Sequence, residues 1–382
     1  MKEEWTLKSL GDVCDFQRGL TYSKSDEVDY SENVVLRATN IDLATNLLVL
    51  DELKHISDKA FIPDSKKVKS GSLMICMASG SKGHLGKVAY VDRDYGFAFG
   101  GFMGLITTHE SLLPRYLFHL MTSEDYKAFI GGLSDGANIN NLTFDKLRTF
   151  PVPVPPHPEQ QRIVALLDEA FEALATAKVN AQQNLQNARA LFESHLESVF
   201  SQPGDEWAEA TLGEACEMYQ PKTISTKELV PDGPYPVFGA NGIIGRYDQF
   251  NHEEPQLLVT CRGATCGSVN VSLPKSWITG NAMVVRPKDH SLDLRFLEFF
   301  FRGGVDLSIA ITGSAQPQIT RTNLSPLLIR FPEDINEQIR LARSFQNLAA
   351  ETQRLVSIYE RKLAALEELK TSLLHQAFNG EL

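Results

Sequence analysis

One plan is repeated along the chain, and this repeat constrains the fold more than any single motif does. Trp5 begins a pattern in which Leu-Gly, an acidic residue and a cysteine follow at fixed positions, and Trp207 begins the same pattern. Much further along each copy, Gln160 recurs as Gln338 within a shared Glu-Gln dipeptide. Because such matches keep their order over the whole chain, the sequence predicts two copies of one structural plan.

Each copy closes with a long segment, 159–202 or 333–379, that contains neither proline nor glycine. In both segments apolar residues step by four and three in the same register, which is the pattern of a coiled-coil seam. An ordinary amphipathic helix in a bundle is the alternative interpretation of this pattern. The predicted helix-pair seam consists of Ile163, Leu167, Leu174, Leu191, Leu341, Phe345, Leu355, Tyr359, Leu366 and Leu369.

The remaining regions, residues 1–155 and 205–334, have the pattern of globular domains. Short apolar runs are broken by glycine, asparagine and proline, and one aromatic, helical stretch interrupts each region. We therefore predict an α+β fold with two domains of mixed strands and short helices. Two long spacer helices, 156–204 and 335–382, would separate them as an antiparallel coiled coil with internal pseudo-two-fold symmetry.

Composition excludes several classes of protein. No stretch of about 18 apolar residues is present, which argues against a membrane span, and the N-terminal sequence has no signal-peptide core. Five cysteines form no dense framework, so we expect a reducing, cytoplasmic location. The net charge of −11 means that any nucleic-acid binding must depend on local clusters or on a partner's positive charge.

No catalytic or metal-binding motif is found in the sequence. The stretch 81–88 has a partial phosphate-loop pattern, but Ser81 stands where its first glycine belongs and Val88 where its last hydroxyl belongs. Cys261 and Cys266 are too few for a metal site without matching His or Cys pairs. We therefore expect no catalytic residues and no bound metal in this chain.

The helix starts and several flanking motifs carry a family resemblance. The sequences PPHPEQQRIV at 155–164 and FPEDINEQIR at 331–340 resemble the proline-to-EQ junction of the DNA specificity subunit of type I restriction–modification systems. The Trp-x-x-x-x-Leu-Gly-Asp/Glu motifs and the stretch HQAFNGEL at 375–382 resemble other parts of that family. The element ITGSAQPQI at 311–319 is similar to one that precedes the second helix, whereas the first copy departs from it at 135–142.

This resemblance implies a non-catalytic specificity subunit that recognises DNA. Each globular domain would be a target recognition domain that reads one half of a bipartite, asymmetric sequence in double-stranded DNA. The helix pair would set the gap between the halves, and two methyltransferase (modification) subunits would dock on it, joined by restriction/translocase subunits. S-adenosylmethionine, ATP and magnesium would be bound by those partner subunits and none of them by this chain.

Polar side chains in the turn-rich segments are the candidates for reading bases, because Arg, Lys, Asn, Gln, Ser and Thr contact base edges. The alternative for many of them is a role in the turns themselves. The candidates in the first copy are Asn40, Ser81, Lys82, His84, Lys87, Asn138 and Asn140, and those in the second copy are Asn241, Arg262, Thr265, Gln316, Gln318 and Arg321.

Two other functional classes stay open from the residues alone. Neither domain is basic by count, which suits a two-headed coiled-coil scaffold that binds protein partners without recognising DNA. An enzyme with an unrecognised motif is the other alternative. DNA binding in the presence of methyltransferase subunits discriminates between these interpretations.

Overall fold

The structure, a computed structural model, describes most of the chain and divides it into two compact units. Unit one comprises Met1–Asn180 and Lys362–Leu382, and unit two comprises Ala181–Arg361. No helix in the described part of the chain is long and apolar enough to cross a membrane. The described residues, with the side chains of Lys82 and Ser134 excepted, are 4–80, 82–134, 141–204, 206–239, 241–313 and 316–382.

The first domain combines short strands with short helices and is followed by the first long helix. The strands form a four-stranded antiparallel sheet of order β2-β9-β6-β7, a mixed sheet of order β3-β5-β4-β8, and the antiparallel pair β1-β10. The elements are β1 (Thr6–Ser9), α1 (Leu10–Val13), β2 (Cys14–Arg18), β3 (Glu27–Val28), β4 (Val34–Leu36), β5 (Lys54–Ile56), β6 (Leu73–Cys76), β7 (Val88–Tyr90), β8 (Ala98–Phe99), β9 (Met103–Thr108), α2 (Pro114–Leu120), α3 (Glu124–Ser134), α4 (Phe144–Arg148), β10 (Pro151–Val154) and the long helix α5 (His157–Ser201).

The second domain follows the same plan and precedes the second long helix. Its sheets have the orders β12-β18-β15-β16, β14-β13-β17 and β11-β19. The elements are β11 (Trp207–Thr211), α6 (Leu212–Ala215), β12 (Cys216–Tyr219), β13 (Tyr235–Gly239), β14 (Gly242–Tyr247), β15 (Leu257–Thr260), β16 (Val269–Val271), β17 (Trp277–Ile278), β18 (Ala282–Pro287), α7 (Leu294–Phe299), a π-helical turn (Phe300–Gly304), α8 (Arg321–Leu324), β19 (Leu328–Pro332) and the long helix α9 (Ile335–Asn379).

The two domains share one topology. In each, the first strand pairs antiparallel with the strand just before the long helix, as β1 does with β10 and β11 with β19. The four-stranded antiparallel sheets β2-β9-β6-β7 and β12-β18-β15-β16 have the same order, and the mixed sheet of each domain contains a parallel strand pair, β4-β8 or β13-β17. The repeat in the sequence is therefore a repeat of the fold, and the predicted α+β class with two domains is confirmed.

The long helices complete the core of the unit in which each part lies. In unit one, Ile163 of α5 and Phe378 of α9 belong to the same apolar cluster as Tyr116 of the domain. In unit two, Leu196 of α5 and Phe345 of α9 share a cluster with Phe296 and other domain residues. Because long helices gain most of their stability from packing an apolar face, the domains and the helices stabilise one another.

The two helices run antiparallel within each unit. In unit one, Arg162 near the start of α5 donates to the carbonyl of Leu382, which follows α9 (2.7 Å), and Lys178 further along α5 forms an ion pair with Glu367 earlier in α9. In unit two, Arg189 Nη2 of α5 lies 2.9 Å from Glu360 Oε1 of α9, and His195, later in α5, packs against Phe345, earlier in α9. The predicted antiparallel pairing is confirmed.

The predicted seam is wrong at two of its ten positions. The side chains of Leu191 and Leu369 are 49% and 48% exposed, whereas their neighbours Phe192 and Lys370 turn inward. A straight α-helix drifts by about 20° per heptad against a strict seven-residue repeat, which adds up to one residue over about five heptads. The buried face therefore moves forward by one position in the later part of each helix.

A buried glutamine joins each long helix to its domain in the same way. Gln160 Oε1 accepts a hydrogen bond from the Leu113 amide (2.8 Å), and its Nε2 donates to the carbonyls of Ser111 and Pro155. The second copy repeats these contacts with other residues. Gln338 Oε1 accepts from the Asp293 amide (2.8 Å), and its Nε2 donates to the carbonyls of Ser291 and Pro332.

The equivalent junctions differ in charge about two turns further along the long helix. In unit one the buried His119 Nε2 lies 2.7 Å from Asp168 Oδ1, and Arg115 Nε donates to both oxygens of that carboxylate. Burial alone would raise the pKa of Asp168, but the hydrogen bonds from His119 and Arg115 lower it to about 2. Burial lowers the pKa of His119, against the opposing effect of Asp168. In unit two, Phe299 and Gln346 occupy the equivalent positions.

We expect acid to destabilise unit one partly through His119. A lowered pKa in the folded state means that the unfolded chain binds the proton more tightly, so stability present above pH 6.5 is lost as the pH falls below that value. Asp168 adds a second loss between its ordinary pKa of 3.8 and about 2. Arg115 and Lys370, which also face His119, oppose its protonation.

Thermal unfolding of the wild type and of His119→Phe between pH 7 and 5 measures this effect. The variant carries the residue found at the equivalent position 299, and its melting temperature should fall less on acidification. Each kcal/mol would appear as about 2–4 °C for a unit of this size. Equal slopes for the two proteins would contradict the prediction.

Candidate nucleic-acid interface

Some of the candidate residues of each copy belong to one hairpin connection in each domain. In the first domain, the connection between β6 and β7 spans residues 77–87 and includes Ser81, Lys82, His84 and Lys87. In the second domain, the connection between the equivalent strands β15 and β16 spans 261–268 and includes Arg262 and Thr265. The shared topology therefore places the two groups of candidates at equivalent positions.

Backbone hydrogen bonds hold the 261–268 connection of the second domain. Within it, Gly267 N donates to Thr260 O (2.9 Å) and Ser268 N donates to Thr265 O (3.0 Å). Gly263 and Gly267 have φ values of +88° and +89°, a conformation that glycine adopts without steric cost. The connection is thus a tight turn of defined shape.

A second segment, residues 317–321, is tied to this turn. Gly263 N donates to Pro317 O (3.1 Å) and Ile319 N donates to Cys261 O (2.9 Å). Arg262 and Gln318 are directly paired across an isolated antiparallel bridge. Two segments far apart in sequence therefore present their side chains from one fixed backbone arrangement.

A cavity of about 210 Å³ brings three candidates of the second domain together. Arg262, Gln318 and Arg321 line it. The cavity is also lined by three polar residues that the sequence analysis did not predict, Tyr219, Gln220 and Thr320. No sequence motif singles them out.

The other candidates of the second domain lie outside the cavity. Thr265 is exposed on the same turn, and Gln316 is exposed next to Pro317. Asn241 lies on the turn between β13 and β14, where its Oδ1 accepts a hydrogen bond from Asn270 Nδ2 of β16 (3.4 Å). Asn270 is a further polar residue close to the turn that sequence reasoning missed.

Two candidates of the first domain are structural residues, and their assignment to base reading is wrong. Asn40 is only 1% exposed; its Oδ1 accepts from the Arg37 amide, and its Nδ2 donates to the carbonyls of Val49 and Glu52. Lys87 is 8% exposed, and its Nζ donates to a backbone carbonyl 2.7 Å away, which belongs to Ile41. Both side chains are buried and donate to backbone carbonyls inside the domain, where they hold the loop that follows β4.

The remaining candidates of the first domain are only partly described by the structure. His84 is half-buried, and its Nδ1 contacts no polar partner among the described residues. Ser81, Asn138 and Asn140, together with the side chain of Lys82, lie outside the described residues. Among the described residues, Leu142 N donates to Met77 O (2.7 Å), as Ile319 N of the second domain does to Cys261 O.

Comparison with known proteins identifies the family. The sequence family described as the type I restriction modification DNA specificity domain matches residues 2–186 and, separately, residues 204–364. The chain belongs to this family. The two matches coincide with the two copies of the repeat, so each copy is one specificity domain with its share of the long helices.

Individual relatives in the type I specificity family are moderately similar. The chain is 28% identical over 191 residues to the specificity subunit of the type I restriction enzyme StySPI of Salmonella potsdam, which covers 48% of this chain and 40% of that protein. It is also 28% identical over 191 residues to the EcoKI specificity subunit of Escherichia coli K12, covering 48% of this chain and 39% of that subunit. These matches span less than half the length of the curated relatives.

Two solved structures share the fold of the whole chain. A chain from a type I restriction–modification system, solved to explain its complex assembly and conformational transition, has a TM-score of 0.79 at 21% identity and covers 100% of this chain and 99% of its own. The HsdS subunit from Thermoanaerobacter tengcongensis has a TM-score of 0.66 at 21% identity and covers 100% of this chain and 98% of its own. At this identity the likeness concerns the fold.

Proposed function

We propose that the chain is the DNA-reading subunit of a type I restriction–modification complex and that each domain reads one half of a bipartite, asymmetric target. The observation that carries this proposal is a shared backbone topology with unequal side chains at the equivalent hairpin. The connection 77–87 of the first domain contains Lys82 and His84 in its sequence, whereas the connection 261–268 of the second contains Arg262 and Thr265. Equal scaffolds with unequal side chains are suited to reading two different base sequences.

The long helices are the proposed docking surface for two methyltransferase (modification) subunits. Their outer faces carry aliphatic side chains that are exposed in this chain, among them Val179 (64%), Leu166 and Ile358. Exposed apolar side chains of this kind are available for contacts with a partner subunit. Restriction/translocase subunits would join this assembly in the cytoplasm.

The chemistry is assigned to the partners in this proposal. The chain itself would be non-catalytic and would bind none of the cofactors, whereas S-adenosylmethionine, ATP and magnesium would be bound by the partner subunits. In the described residues, no group of three or more His, Cys, Asp or Glu side chains is placed to hold a metal ion. The test is turnover: purified chain that transfers methyl groups without partner subunits would contradict the proposal.

Exchange of the second domain tests the assignment of one half-site to each domain. Replacing residues 207–332 with the same region of another family member keeps the β11–β19 pair intact within the exchanged piece. After reconstitution with methyltransferase subunits and mapping of methylated sites, we expect one half of the target to change and the other half to stay. The reciprocal exchange of residues 5–154 is the matched control and should change the opposite half.

Two results would contradict the proposal in different ways. If both halves changed together after one exchange, the domains would not read independently. If the reconstituted complex bound no specific DNA in a gel-shift assay, the two-headed protein scaffold would be the better explanation. Membership of the specificity family favours the DNA-reading function over that scaffold.

A further inference from the structure

The arginines of the second domain fall into two groups. Five of the seven between residues 206 and 334 use their guanidinium groups on acceptors of the chain itself. These are Arg246 with the carbonyls of Gly233 and Pro234, Arg286 with Glu217, Arg295 with Gln346, Arg302 with Glu298, and Arg330 with Glu209. Arg262 and Arg321 make no hydrogen bond or ion pair through their side chains with any described residue.

The two unpaired arginines line the same cavity of about 210 Å³. They reach it from different segments, Arg262 from the turn between β15 and β16 and Arg321 from the first residue of α8. Both are exposed. Carboxylates outnumber basic side chains in this domain, so a shortage of internal partners does not explain why these two guanidinium groups have none.

Both guanidinium groups are exposed and bonded to no described residue, so they are available to acceptors on a ligand. Guanidinium presents donors in a rigid fork, and in the major groove of DNA that fork matches the N7 and O6 acceptors of guanine. The backbone hydrogen bonds of Gly263 to Pro317 and of Ile319 to Cys261 hold both segments in place. Such a fixed backbone is what discrimination between base edges requires, whereas contacts to phosphates need no cleft.

We propose that Arg262 and Arg321 read guanine in the half-site of the second domain. The inference rests on the proposed function and adds the base class to it. The half-site assigned to this domain therefore contains G·C pairs, and each arginine donates to the major-groove edge of a guanine. Gln318, paired with Arg262 through the backbone, lies beside them in the same cavity wall.

The test uses the complex reconstituted with methyltransferase subunits. Its target is first mapped by methylation, and binding is then measured for every single base-pair change in the second half-site. Arg262→Ala and Arg321→Ala should each lower discrimination at one G·C pair by about 5- to 150-fold, the range expected for a lost bidentate contact. Discrimination in the first half-site should not change.

Arg302→Ala is the matched control, because Arg302 is paired with Glu298 (2.9 Å) and does not line the cavity. This variant should keep discrimination at every position. Circular dichroism and gel filtration of the three variants confirm that they remain folded and assembled.

Some outcomes would contradict guanine reading while leaving the proposed function intact, and one would contradict the proposed function itself. In one such outcome a variant loses affinity equally for all sequences, and the slope of log K against log salt concentration falls by about one. That result would show a phosphate contact instead of guanine reading. A second half-site without G·C pairs, or unchanged discrimination, excludes guanine reading by that arginine. If the wild-type complex shows no sequence preference in either half, the proposed function itself fails.

Discussion

Matched insertions of four residues in both long helices are expected to lengthen the unread gap of the target by one or two base pairs. Lys178 and Glu367 are paired in unit one, so they mark positions of α5 and α9 that face each other. One insertion follows Lys178, and the other stands between Leu366 and Glu367. Four residues add about 6 Å of helix, and one base pair occupies about 3.4 Å of the duplex.

The physical reason is that the proposed spacing depends on helix length. If the antiparallel pair fixes the distance between the two readers, longer helices need a longer gap, while both half-sites keep their base sequence. Methylation-site mapping of the reconstituted complex measures the gap, and circular dichroism checks that the added residues are helical.

An insertion in α5 alone is the control for this experiment. Without a lengthened partner, the extra turn has to bulge out or shift the seam, so we expect weaker activity and no clean new spacing. A folded variant with matched insertions that still modifies only the original spacing would show that the helices do not determine the gap.

Substitution of Gln338 by leucine is expected to be among the most destabilising single changes in unit two. The side chain is fully buried and makes three hydrogen bonds, to the amide of Asp293 and to the carbonyls of Ser291 and Pro332. A buried group that loses its partner costs about 1–3 kcal/mol. The bond to the Pro332 carbonyl is buried and the other two are partly buried, so their loss should lower the free energy of unfolding by about 3 kcal/mol in total.

Urea unfolding followed by tryptophan fluorescence measures this change, because two of the three tryptophans, Trp207 and Trp277, lie in unit two. The control is Gln353→Leu, an exposed position on the same helix, for which we expect a change within about 0.5 kcal/mol. Equal effects of the two substitutions would mean that the buried contacts contribute little. Because Gln338 joins helix to domain, the variant should also lose recognition of the second half-site before the first.

The parts of the fold that follow from local pattern were predictable from the sequence. The heptad steps and the absence of proline and glycine indicated the long helices, and the ordered repeat indicated two equivalent domains. The error at Leu191 and Leu369 has a geometric source. A sequence shows where a seven-residue repeat begins, but the drift of a straight helix against that repeat becomes visible only in the packing.

The candidate residues could be predicted from the sequence only where a polar side chain in a turn is also exposed in the fold. Arg262 and Arg321 have polar surroundings in the sequence, and the structure brings them to one cavity. Asn40 and Lys87 look equally suited to DNA, yet their partners are backbone carbonyls that no sequence pattern indicates. The role of the two buried glutamines was hidden for the same reason.

The division of each long helix between two units has a consequence for how the chain folds during synthesis. Domains usually fold in the order in which they leave the ribosome. Here the core of unit one includes Phe378, whose ring packs edge-on against Tyr116 with 5.2 Å between ring centroids. The core of unit one therefore cannot be completed until the second domain and α9 have been translated. Until then, part of the apolar surface of the first domain stays uncovered.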